Sequence, residues 1–141
     1  MTASTTTAPR LENRRLLPLA LMGGAIGAVV NAAIALIAPA LIGGAVQVSQ
    51  PGSTVLQDLP LIAVIAASII PAFVAAAVLW LLGRFTKTPV QIFQILAVVL
   101  ALLSLISPFG IPTSLGAQLT LCLMHIVAAA TITLALSRAR A

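Results

Sequence analysis

Charge is scarce in this sequence. Its 141 residues hold seven Lys or Arg and two Asp or Glu, 6% charged in all, against 61% hydrophobic residues. Mean hydropathy is +1.21. Soluble domains carry about 25% charged residues, because a folded surface has to be solvated. So few charges cannot solvate a globule of this size, and lipid is the solvent that most of the surface calls for. Cysteine is scarcer still. The single Cys122 excludes an intrachain disulfide and any Cys-x-x-Cys redox or zinc motif. Inside an apolar run it reads as a small buried side chain.

Asp, Glu, Lys and Arg are absent from the long apolar runs altogether. That removes the usual marks of proton relays and coupled transport. Small multidrug exporters depend on a carboxylate in their first helix, and this chain has none. One histidine without a second His, Cys or carboxylate beside it cannot complete a metal site. Nor is a Ser–His–Asp grouping available within the apolar runs. No catalytic residue, metal ligand or cofactor is expected, and the chain does not read as an enzyme.

Four apolar runs are present, at 16–38, 61–83, 90–108 and 117–137. Each approaches the ~20 residues that cross a hydrocarbon core about 30 Å thick at ~1.5 Å per residue. Helices are required, because an isolated strand would leave its amides unpaired in lipid. The expected fold is all-α, a four-helix transmembrane bundle. Residues 1–15 are polar and read as a disordered tail, and 138–141 as a second short tail. The first run is expected to end near Pro39. The stretch from Gly43 to Gln57, with Gln50, Pro51 and Gly52, reads as a loop.

The basic residues orient the bundle. Arg10, Arg14 and Arg15 precede the first run, Arg84 and Lys87 separate the second and third, and Arg138 and Arg140 follow the fourth. All fall on one side, as in the cytoplasmic loops of membrane proteins. Both termini are therefore expected in the cytoplasm. Basic nucleic-acid modules cluster their charge on a folded face instead, so nucleic acid is not an expected partner. The bilayer is, with a membrane protein or a second copy of the chain as further candidates.

Asn31 and His125 are the polar residues costliest to bury in these runs. Counted along the helix at ~1.5 Å per residue, Asn31 lies ~10 Å below the boundary opposite the basic side, and His125 ~12 Å below it. Ser68 falls at the same level and Ser104 nearer the surface. These four residues form a polar layer, either fixing helix register or lining a pathway. Gly23, Gly27, Asn31 and Ala35 recur every four residues, a small-residue stripe that lets helices approach closely. Pro71 removes a backbone bond and should kink the second helix where it packs. In the fourth run Gln118, Cys122, His125, Ala129 and Thr133 share a face expected to look inward.

The chain resembles a family of small bacterial four-helix membrane proteins known only as a domain of unknown function. The resemblance rests on Val30-Asn31-Ala32-Ala33, the proline-bearing second run, Arg84-Phe85-Thr86-Lys87-Thr88-Pro89 followed by Phe93, and Leu123-Met124-His125-Ile126-Val127-Ala128. It implies a bacterial plasma membrane and four helices, and no activity. Gly23-Gly24-Ala25-Ile26-Gly27 also resembles the opening of small fluoride channels. Those channels have an arginine soon after the glycines and a third helix rich in Phe, Thr and Ser. Here Asn31 follows, and the third run is aliphatic apart from Ser104, so that identity is rejected. Two functional expectations result. The first is a non-enzymatic accessory or envelope-associated bundle that acts by association. The alternative is a small pore or transporter for a neutral or hydrophobic solute, lined by the polar layer.

Overall fold

A computed structural model describes residues 11–49, 53 and 55–140. The expected tail up to Arg10 and the turn residues Gln50, Pro51 and Gly52 lie outside the described residues. The chain forms four helices, each with its flanking turns long and apolar enough to span a membrane: α1 (Leu16–Ile42), α2 (Leu61–Phe85), α3 (Pro89–Ser104) and α4 (Leu115–Leu136). Large apolar side chains such as Val29, Leu41, Ile62 and Phe85 are more than two-thirds exposed, as a lipid-solvated surface requires.

The boundaries differ from the sequence expectation in four places. Helix α1 runs through Pro39, because a proline in the last turn removes one donor without halting the coil. It ends instead at Gly43, whose φ of 72° is the left-handed conformation glycine adopts freely. The expected loop holds a small antiparallel hairpin, β1 (Gln47–Ser49) paired with β2 (Leu56–Asp58). Helix α3 stops at Ser104, and a 3-10 turn at Ser107–Gly110 completes the crossing. At the other end, residues 11–15 are built onto the bundle. Leu11 bridges to Arg140, the Glu12 N–H donates to the Ala139 carbonyl at 2.9 Å, and Asn13–Arg15 forms a 3-10 turn. Backbone pairing with the segment that follows α4 holds what composition alone assigns to a tail.

Helix α1 lies between α2 and α4, and glycine makes both contacts close. A Cβ added at Gly23 would lie 2.9 Å from the Ala135 Cβ and 3.0 Å from the Thr131 carbonyl oxygen of α4. One at Gly24 would lie 3.1 Å from the Ala72 Cβ and 3.3 Å from the Ile69 Cα of α2. Adjacent positions point ~100° apart on a helix, so one Gly-Gly pair serves two neighbours. Packing of this kind replaces the hydrophobic drive that lipid does not supply.

Two apolar clusters close the ends of the bundle. At the basic end Leu16, Ala20, Ala72, Leu79, Phe93 and Leu136 pack together; at the hairpin end Ala38 and Val46 meet Ala117 and Leu121. Arg84 stacks over the Trp80 ring, 4.4 Å from its centroid, at the basic end. The polar layer sits between the clusters. Helix α3 is the outlier: its buried residues are Pro89, Val90 and Phe93, all in its first turns. Beyond them it stands off from α2 and α4.

Candidate polar chamber

Asn31 is 3% exposed and Ser68 1%. The Asn31 Nδ2 donates to the Ser68 Oγ at 3.2 Å and to the Met124 carbonyl at 3.1 Å, so one amide ties α1 to α2 and α4. The Ser68 hydroxyl donates to the Val64 carbonyl at 2.9 Å, one turn back in its own helix. The Asn31 Oδ1 is buried and has no hydrogen-bond partner among the described residues. A buried acceptor left unpaired costs about 1–3 kcal/mol, so native structures rarely tolerate one without a reason.

These groups border a chamber of about 280 Å³. Asn31, Ser68, Met124 and His125 line it, and Val48 and Leu59 close it from the hairpin side. His125 lies at the same level as Asn31, but no hydrogen bond joins them. Its Nδ1 sits 2.7 Å from the Leu121 carbonyl of its own helix. Shared depth therefore does not by itself bring the two into a direct hydrogen bond. Depth sets height along a helix and leaves the direction around it open.

A second cavity, of about 600 Å³, opens between α2, α3 and α4 where α3 stands away. Its walls are apolar, with Ser104, His125 and Thr133 as their polar members. Ala67, His125 and Ala128 line both spaces and form the boundary between chamber and groove. Ser104 belongs to the groove and donates to the Ala101 carbonyl at 2.7 Å. Pro71, expected at a packing contact, is exposed and lines the groove, because α3 does not close on α2 at that height. Ala35 is half-buried.

The inward face of α4 is also displaced from its expected position. Thr120, Leu121, Met124, Ile132 and Ala135 are buried, while Cys122, His125, Ala129 and Thr133 are half-buried. The close approach of α1 at Gly23 and Gly27 selects the face with Ala128, Thr131 and Ala135. The more polar face is left to border the groove. On the opposite side Leu119, Leu123, Ile126 and Leu134 are exposed.

Ala67 was not visible as a site residue in advance, yet a sequence signal exists. Pro71 has no N–H, so the Ala67 carbonyl lacks its usual donor four residues on. Among the described residues, no three His, Cys, Asp or Glu side chains gather in a group able to hold a metal ion.

The chain belongs to the family of unknown function DUF6069, whose sequence model matches residues 11–141. No curated protein and no solved structure matches it.

Proposed function

We propose that this DUF6069 member is a non-enzymatic, multi-pass membrane protein that binds a neutral, largely apolar solute in the hairpin-side half of its bundle. The solute exchanges between the lipid-facing groove and the polar chamber. One observation carries the reading: Asn31 and His125 line a single chamber without bonding each other, and the buried Asn31 Oδ1 has no partner among the described residues. A pair placed only to fix helix register would satisfy each other. The groove volume of about 600 Å³ falls within the ~300–1,000 Å³ of small-molecule sites. An accessory bundle that acts through a partner protein is the second reading. It rests on the exposed apolar surface, which lipid covers equally well.

Binding is tested with the purified protein in nanodiscs and a neutral alkyl diazirine. Crosslinks should concentrate on Ala63–Ala67 and Leu121–Ala129. Ala67→Phe, which fills the boundary between the two spaces, should abolish most of them while leaving the thermal midpoint near that of the parent. Labelling spread evenly over Leu17, Val29 and Leu41, and indifferent to Ala67→Phe, would overturn the proposal.

Orientation belongs to the same reading. Arg14, Arg15, Arg84, Lys87, Arg138 and Arg140 flank the helices at one end, and that end is assigned to the cytoplasm. The membrane is assigned as a bacterial plasma membrane. In a Cys122→Ser background, Ser53→Cys should react with an impermeant thiol reagent in intact cells and Arg140→Cys should not. Reaction at position 140 with protection at 53 would reverse the assignment.

A further inference from the structure

The side-chain donors of the chamber wall are already engaged. Both N–H bonds of the Asn31 amide are used, one on the Ser68 Oγ and one on the Met124 carbonyl. The amide cannot turn over, because a carbonyl only accepts, and the Asn31 Oδ1 against the Met124 oxygen would set two acceptors together. The Ser68 hydroxyl gives its hydrogen to the Val64 carbonyl. His125 Nδ1, at 2.7 Å from the Leu121 carbonyl, must likewise be the protonated nitrogen of the ring. Nε2 of the neutral ring is then an acceptor, and it has no partner among the described residues.

What the residues lining the chamber leave unpaired is therefore of one kind: the buried Asn31 Oδ1, with the His125 Nε2 and, at the boundary with the groove, the Ala67 carbonyl that lacks its usual helical donor as further acceptors. From this we infer that the solute carries an uncharged hydrogen-bond donor. The class is a long-chain alcohol or a glyceride with a free hydroxyl, its head in the chamber and its chain in the groove. Esters, ethers and ketones bring only acceptors and would meet acceptors. An ammonium would donate, but the described helices offer no carboxylate within the spans to balance a desolvated cation. The groove is apolar along the walls contributed by Ile70, Val74, Leu96 and Leu100, which suits an alkyl chain. The inference rests on the reading of the chamber as a binding site and specifies what enters it.

The test compares 1-dodecanol with its methyl ether as competitors of the diazirine probe, in nanodiscs and at equal mole fraction in the bilayer. The alcohol should displace the probe at about tenfold lower mole fraction, the equivalent of one to two net hydrogen bonds. His125→Leu should shrink that preference. This variant removes only a bond within α4, and an unchanged thermal midpoint verifies its fold. Equal displacement by alcohol and ether, with chamber crosslinks intact, overturns the donor inference and leaves the binding site standing. A preference undiminished in both His125→Leu and Asn31→Leu also overturns it. Failure of either compound to displace the probe, with no chamber crosslinks in the parent, overturns the binding reading itself, as a chamber holding water alone would.

Discussion

Gly23→Leu should cost the bundle most of its stability, on the order of 3 kcal/mol or more, while Val29→Leu should change it by less than ~0.5 kcal/mol. The two sites lie on the same helix, and both substitutions add bulk to an apolar position. They differ in what the added carbons meet. At Gly23 a Cβ alone would reach the Ala135 Cβ at 2.9 Å, the Thr131 carbonyl oxygen at 3.0 Å and the Ile132 Cα at 3.2 Å. Two of those atoms are backbone and cannot rotate away, so α1 and α4 would have to separate. Their separation would also pull Asn31 from the Met124 carbonyl. Val29 is 71% exposed and faces lipid. At Gly27 the nearest atom to an added Cβ is the Thr131 Oγ1 at 2.8 Å, a side chain that has some freedom to shift. Gly27→Leu should fall between the other two. The midpoint of thermal aggregation in detergent reads the order, and equal midpoints for Gly23→Leu and Val29→Leu would dismiss close α1–α4 packing.

Replacing Asn31 separates donor from shape. Asn31→Asp keeps the size of the side chain and removes both N–H bonds, placing carboxyl oxygens against the Met124 carbonyl, 3.1 Å from the present amide nitrogen. Asn31→Leu loses the same bonds but also removes the unpaired Oδ1, and it leaves Ser68 bonded to Val64. The two losses in the leucine variant should cost about 1–2 kcal/mol. The aspartate should cost about 2 kcal/mol more, in line with the ~2.5–3.5 kcal/mol penalty for a charged residue at the centre of a membrane helix. Unfolding in mixed micelles at neutral pH would show the order Asn, Leu, Asp. An aspartate variant as stable as the parent would mean that the amide nitrogen does not carry the bonds assigned to it.

Much of this arrangement was legible in the sequence, and what was missed has a common cause. The lengths of the apolar runs determine how many crossings there are, because lipid leaves a helix no alternative. Counting residues from the run ends also put Asn31 and Ser68 at one level, and they do bond. Direction around the helix is a different matter. These helices are apolar on nearly every side, so composition gives little reason to prefer one face, and the polar side of α4 looked like the natural interior. Close packing instead followed the small residues: Gly23 and Gly27 on α1 drew in Ala128, Thr131 and Ala135, and His125 went to the boundary between chamber and groove. The hairpin escaped notice because three-residue strands among Gln, Ser, Pro and Gly carry too little alternation to stand out. Pro39 reads as an end because helices often stop near a proline, whereas Gly43 supplies the conformation that ends this one.

The helices also disagree about the thickness of the membrane. Helix α1, with 27 residues, is about 40 Å long, and α3, with 16, about 24 Å. A hydrocarbon core of about 30 Å lies between the two, and α3 reaches across it only with the 3-10 turn at Ser107–Gly110. The longer helix can tilt, and on the flank where α3 stands the crossing is finished by that turn instead of by an α-helix. The groove opens on that flank. On the proposed reading, a molecule diffusing in the membrane plane reaches the boundary formed by Ala67, His125 and Ala128 from that side, along the apolar walls of the groove.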